Sequence, residues 1–245
     1  MSWMFPRRSG IRAPEMREWI LGALYLPVFL FFLNFAILAY FPALGFPLTE
    51  PRNYFFANLL YMTVNFAVML LIFRRTLWQS LREFEGKMLL SVLIGFGMCY
   101  GANLVLTTAY TVLDIMPENY NQEAVNSLLG GYPLAMTLCT VVLAPLAEEC
   151  LFRGVLFAPL ARRCLPAAYA LSMFLFAGMH VFQFLGSMTA ANTILCLSLY
   201  LPASFSLCWV YQKTGNIWAC IFLHMFINFQ SVLASLLRSL MQAFL

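Results

Sequence analysis

Glu148 and Glu149 stand side by side in the middle of Tyr132–Leu160, a stretch that is otherwise almost wholly apolar, and Arg153 follows within it. A charge at membrane depth costs roughly 2.5–3.5 kcal/mol on insertion scales. Three such groups so close together need partners, water or a task. Residues four apart on a helix share a face, and Glu149 and Arg153 are such a pair. An ion pair there neutralises both groups in a medium where an unpaired charge is costly. Glu148 points elsewhere, and its neighbour one turn on is Phe152. It must find a partner on another helix, hold water or stay protonated, and such a carboxyl suits a general base or acid.

The chain's only two histidines, His180 and His224, also fall inside apolar stretches. In Phe176-Ala177-Gly178-Met179-His180 the aromatic ring and the imidazole share a face, and the small residues between them let another helix approach. In His224-Met225-Phe226-Ile227-Asn228 the imidazole and the amide share a face. Two hydrogen-bond donors aimed at one spot could hold a developing oxyanion. Taken singly, a histidine or asparagine in a membrane helix serves equally as glue between helices. Their joint occurrence with the acidic pair between residues 148 and 228 points to one shared polar site.

The elements that must position these groups are membrane helices. The chain is 62% hydrophobic and 10% charged, against about 45–50% and 25% in soluble domains. The net charge of +4 forms no basic stripe, which argues against nucleic acid as a partner. A bilayer crossing needs about 20 apolar residues. Seven stretches qualify: Trp19–Phe41, Tyr54–Phe73, Met88–Leu113, Tyr132–Leu160, Ala167–Leu185, Ala191–Tyr211 and Ile217–Leu237. The fold class is therefore all-α, a polytopic bundle of seven or eight helices with the site between the C-terminal ones. A break is expected near Pro145 in the long fourth stretch, with Glu148 in the first turn of the second piece, so that the helices could equally be counted as eight.

Eleven of the fourteen lysines and arginines fall at one set of helix ends. They are Arg7, Arg8, Arg12 and Arg17; Arg74, Arg75, Arg82 and Lys87; Arg162 and Arg163; and Lys213. Positive charge marks the cytoplasmic side. The N-terminus is expected there, in a multi-pass protein of a bacterial plasma membrane, with the acidic loop Asp114–Gly131 outside. The N-terminal apolar run is too long for a cleaved signal and reads as a first transmembrane helix. The chain divides into a basic segment 1–18, scaffold helices over 19–130 and a chemical core over 131–245. No internal repeat is visible, which weighs against a proton-coupled transporter. Seven scattered cysteines without a CxxC read as buried apolar residues.

The three motifs resemble the CPBP family of intramembrane proteases, which includes the CAAX prenyl endopeptidases and the Abi-like bacteriocin-processing and immunity proteins. The family pattern of Glu-Glu-x-x-x-Arg, Phe-x-x-x-His and His-x-x-x-Asn is matched in order by Glu148–Arg153, Phe176–His180 and His224–Asn228. The resemblance covers about residues 130–236 and implies an endopeptidase within the membrane. By it, Glu148 and His180 activate a water, His224 and Asn228 hold the oxyanion, and Glu149, Arg153 and Phe176 shape the site. The substrate it implies is a membrane-anchored protein or peptide, cut near the cytoplasmic side. A non-catalytic adaptor or immunity protein on the same scaffold remains the alternative. The resemblance leaves the metal open: Glu148, His180 and His224 could ligate zinc with a water in the fourth position, and a metal-free glutamate mechanism uses the same residues.

Overall fold

The computed structural model describes residues 11–243. It contains helices and connecting turns, with no strand among the described residues. Seven helices are long and apolar enough to cross a membrane. In chain order the elements are α1 (Met16–Ala43), α2 (Pro51–Ile72), the short α3 (Arg74–Arg82), α4 (Gly86–Val112) and α5 (Tyr120–Gly131). They continue with α6 (Pro133–Ala161), α7 (Leu165–Ser187), α8 (Ala190–Thr214) and α9 (Ile217–Gln242). α3 and α5 are the two that do not span. Arg7 and Arg8 of the basic N-terminal segment lie outside the described residues.

Alternation of the spans gathers residues 11–15, 73–87, 162–164 and 213–216 at one end of the bundle, which is the basic end. That end is tied shut. Arg162 donates from Nε and Nη2 to the carbonyl of Ile11 at 3.1 and 2.8 Å. Tyr211 donates to Arg12 O at 2.6 Å, Asn216 to Ser80 O at 2.7 Å and Trp218 to Leu77 O at 2.7 Å. Arg12 pairs with Glu83. Glu18 is buried at the start of α1 and caps α3 from outside it. Its Oε1 accepts from the Arg75 and Thr76 backbone N–H at 3.1 Å each, and its other oxygen takes the Thr76 hydroxyl. A carboxylate at a helix N-terminus satisfies orphan donors and faces the positive end of the dipole. The main core packs behind this seal, around Phe73, Leu151, Phe157, Tyr211, Ile217 and Ile221. Gly154 lets Phe73 lie on α6: a Cβ there would stand 3.0 Å from the ring. Gly215, at φ 62°, ends α8 in the left-handed conformation that suits glycine.

Two expectations are corrected. Pro145 does not break α6, so seven spans form and not eight, and Glu148 lies in the middle of one continuous helix. The helix absorbs the proline by widening into a π turn over Cys139–Leu143, where the Ala144 N–H bonds Cys139 O, five residues back. A second wide stretch runs from Cys150 to Phe157. Wide turns of this kind recur at functional sites. The second correction concerns the acidic loop after α4. Its latter half is the helix α5, started by Asn119, whose side chain accepts from the Gln122 N–H at 3.1 Å. Leu128 and Leu129 of α5 are buried in a satellite core with Phe55, Met136 and Val232.

Candidate active site

α6 carries both glutamates at mid-depth, and α9 presents His224 to them. Glu149 and Arg153 are fully buried, and Arg153 Nε lies 3.1 Å from Glu149 Oε2. The pairing expected from their spacing is present. Glu149 also holds a second partner on a different helix: its Oε1 lies 2.9 Å from His224 Nδ1. A carboxylate oxygen only accepts, so Nδ1 carries the proton and the imidazole is fixed with Nε2 turned toward Glu148. Nε2 stands 3.8 Å from Glu148 Oε2. Glu148 Oε2 is buried without a hydrogen bond among the described residues. The two carboxylates are thus distinguished by partners: Glu149 is held by two cations or donors, and Glu148 faces open space.

Phe176 on α7 is the hinge of the arrangement. Its ring lies 4.9 Å below the Arg153 guanidinium and contacts the imidazoles of His180 and His224 at 5.0 and 5.5 Å between centroids. A cation over an aromatic face is stabilised by the ring quadrupole, which supports a guanidinium that has no exposure at all. His180 sits one turn beyond Phe176. Its Nδ1 faces the Phe176 carbonyl at 2.8 Å and therefore carries the proton, leaving the Nε2 lone pair free. Its ring stacks on Tyr200 of α8 at 4.4 Å.

Asn228 lies one turn from His224 and donates to Thr140 O at 2.8 Å. This bond follows from the wide turn. In α geometry Thr140 O would accept from Ala144, whose N–H is used by Cys139. In π geometry it would accept from residue 145, which is proline and has no N–H. The carbonyl is orphaned on both counts, and Asn228 satisfies it. The same device recurs in α1, where Leu33 N–H bonds Val28 O across a wide turn and Tyr61 of α2 donates to the Phe29 carbonyl at 2.9 Å. One amide hydrogen of Asn228 is thus committed, and the other is available to the cavity.

That cavity has a volume of about 550 Å³, and Glu148, His180, Asn228, Thr140 and Tyr200 all line it. His224 does not line it and reaches the space only through Glu148. The first two spans contribute walls that the reading of acids and histidines alone passes over. Asn58, Tyr61 and Asn65 of α2 face the cavity together with Asn34 of α1. The signal for them is polar residues at helical spacing, residues 58, 61 and 65, inside an apolar span. Among the described residues no group of three His, Cys, Asp or Glu side chains converges as a metal site.

A helical membrane protein with a buried carboxylate beside a mid-membrane cavity is the class that this fold and site define. Residues 130–230 match the family model of the type II CAAX prenyl endopeptidases, Rce1-like, and so bear out the resemblance carried by the three motifs. The chain is also similar to the "Putative membrane peptidase YdiL" of Bacillus subtilis (strain 168), with 28% identity over 166 residues, 66% of this chain and 64% of that protein. The match thus spans less than two thirds of that relative. No solved structure matches. The family model is one of CAAX prenyl endopeptidases, and the relative's name is that of a membrane peptidase.

Proposed function

We propose that this protein is an intramembrane endopeptidase in which Glu148 is the general base. The observation that carries the reading is the pair of carboxylates with divided roles: Glu149 is ion-paired with Arg153 and bonded to His224 Nδ1, while Glu148 borders the cavity and its Oε2 has no hydrogen bond among the described residues. A water held between Glu148 and the free Nε2 of His180 gives its proton to Glu148 as its oxygen bonds to the peptide carbonyl carbon. The negative charge that develops on the carbonyl oxygen is met by the free Asn228 amide hydrogen, while His224, behind the cavity wall, bonds Glu149 and flanks Glu148. Glu148 then passes its proton to the leaving nitrogen as the C–N bond breaks.

The test is reconstitution of the purified protein in proteoliposomes with a membrane-anchored reporter peptide. Cleavage is expected for wild type and lost in Glu148→Ala, His180→Ala and His224→Ala. Undiminished cleavage in all three variants would refute the assignment.

A further inference from the structure

The cavity is not centred in the bundle. Its lining residues on α1 run from Phe29 to Leu38, on α2 from Tyr54 to Asn65, and on α6 from Met136 to Glu148. On α7 they run from Leu175 to Gln183, and on α9 from Asn228 to Val232. Each of these is the half of its helix that leads away from the basic end. The other half is filled by the main core and sealed by the bonds of Arg162, Tyr211, Asn216 and Trp218. The hollow therefore extends from mid-depth toward the end formed by residues 44–50, by α5 and by residues 187–189. Gln183 stands exposed at its mouth, and the exposed side chains of Phe31 and Phe35 line its flank on α1.

Lysine and arginine collect on the cytoplasmic side of membrane proteins, and that side is here the sealed one. We infer that the site is reached from the extracytoplasmic half of the bilayer, and that its substrate class is a membrane-held chain presenting an uncharged, extended segment from that side. The inference rests on the protease reading for the word substrate, while the direction of access rests on geometry and charge alone. It departs from the cytoplasmic-side cut that the resemblance implies. The lining chemistry agrees with it. Asn34 and Gln183 offer amides to a peptide backbone. The lining includes no lysine or arginine among the described residues, so a free terminal carboxylate finds no cation there. An internal peptide bond fits better than a short charged C-terminus. The exposed aromatic flank of α1 suits lateral approach of a lipid-embedded chain.

The cysteines provide the measurement. Six of the seven are buried, and Cys164, between α6 and α7 at the basic end, is the exposed one. Intact bacterial cells producing the full chain are treated with a membrane-impermeant maleimide. Wild type should be labelled only after permeabilisation. The variant Cys164→Ser with Gln183→Cys should be labelled in intact cells to the extent seen after permeabilisation. The reverse pattern, or labelling of both from the same side, overturns the inference. In parallel, a single-span reporter with an uncharged Ala/Val/Ser stretch next to its membrane segment is presented with that stretch outside or inside, with Glu148→Gln as control. Cleavage of the outward form alone supports the inference, and cleavage of the inward form overturns it. Outside labelling of Gln183→Cys with neither reporter cut leaves the direction of access standing and sinks the proteolytic reading instead.

Discussion

Replacing Glu149 by alanine removes the carboxylate that is ion-paired with a fully buried guanidinium. Arg153 Nε lies 3.1 Å from Glu149 Oε2, and neither residue has any exposure. Breaking a buried ion pair by deleting one member costs about 3–5 kcal/mol, because the remaining charge stays desolvated. The same substitution strands His224 Nδ1, which sits 2.9 Å from Glu149 Oε1, and a buried donor left unpaired costs about 1–3 kcal/mol more. Because the two losses share one carboxylate, a total of about 4–6 kcal/mol is expected. For a chain of this size each kcal/mol moves Tm by about 2–4 °C, so Glu149→Ala should melt on the order of 10–20 °C below wild type. Thermal unfolding of the purified protein in one detergent, followed by tryptophan fluorescence, measures this. The double variant Glu149→Leu with Arg153→Leu removes both charges and should recover a large part of the loss, since apolar replacement of a whole buried pair is often neutral. A single variant within about 2 °C of wild type, or a double variant no more stable than the single, would refute the reasoning.

Glu148→Gln keeps the shape of the side chain and removes the base; cleavage of the reporter should fall by about 10²-fold or more while Tm stays close to wild type. Asn228→Ala leaves the Thr140 carbonyl unpaired and should lower stability by about 1–3 kcal/mol in chemical denaturation, and loss of an oxyanion donor should lower kcat by about 10²-fold or more. Glu83→Ala, which removes the partner of Arg12 at the exposed basic end, should cost less than about 1 kcal/mol by the same measurement and leave cleavage unchanged.

What was legible beforehand is what depends on local spacing or on composition. The seven spans follow from the length of apolar runs, and Glu149–Arg153 follows from one helical turn. The contact of Glu149 with His224 joins residues 75 apart in sequence, and no local rule says which glutamate a distant histidine meets. Pro145 misleads because the penalty for proline assumes a helix that keeps its register, whereas α6 widens just ahead of it. α5 is misread as a loop because its polar residues obscure Leu128 and Leu129, the pair it buries. The amides of α2 were visible at helical spacing, but an asparagine in a span carries less cost than a charge and draws less notice.

The wide turn ahead of Pro145 holds one residue more than an α-helix of the same rise, and that surplus acts as a counting device. Each residue turns a helix by about 100°. Deleting one residue between Cys139 and Leu143 would let the backbone close into an α turn, and either the short segment before it or Glu148 and all that follows would swing by that angle. The arrangement therefore has no neighbouring, slightly poorer version reachable by a small change of length. Relatives that use the same carboxylate against the same cavity are expected to hold the interval from Pro133 to Glu148 constant in length, even where its side chains drift.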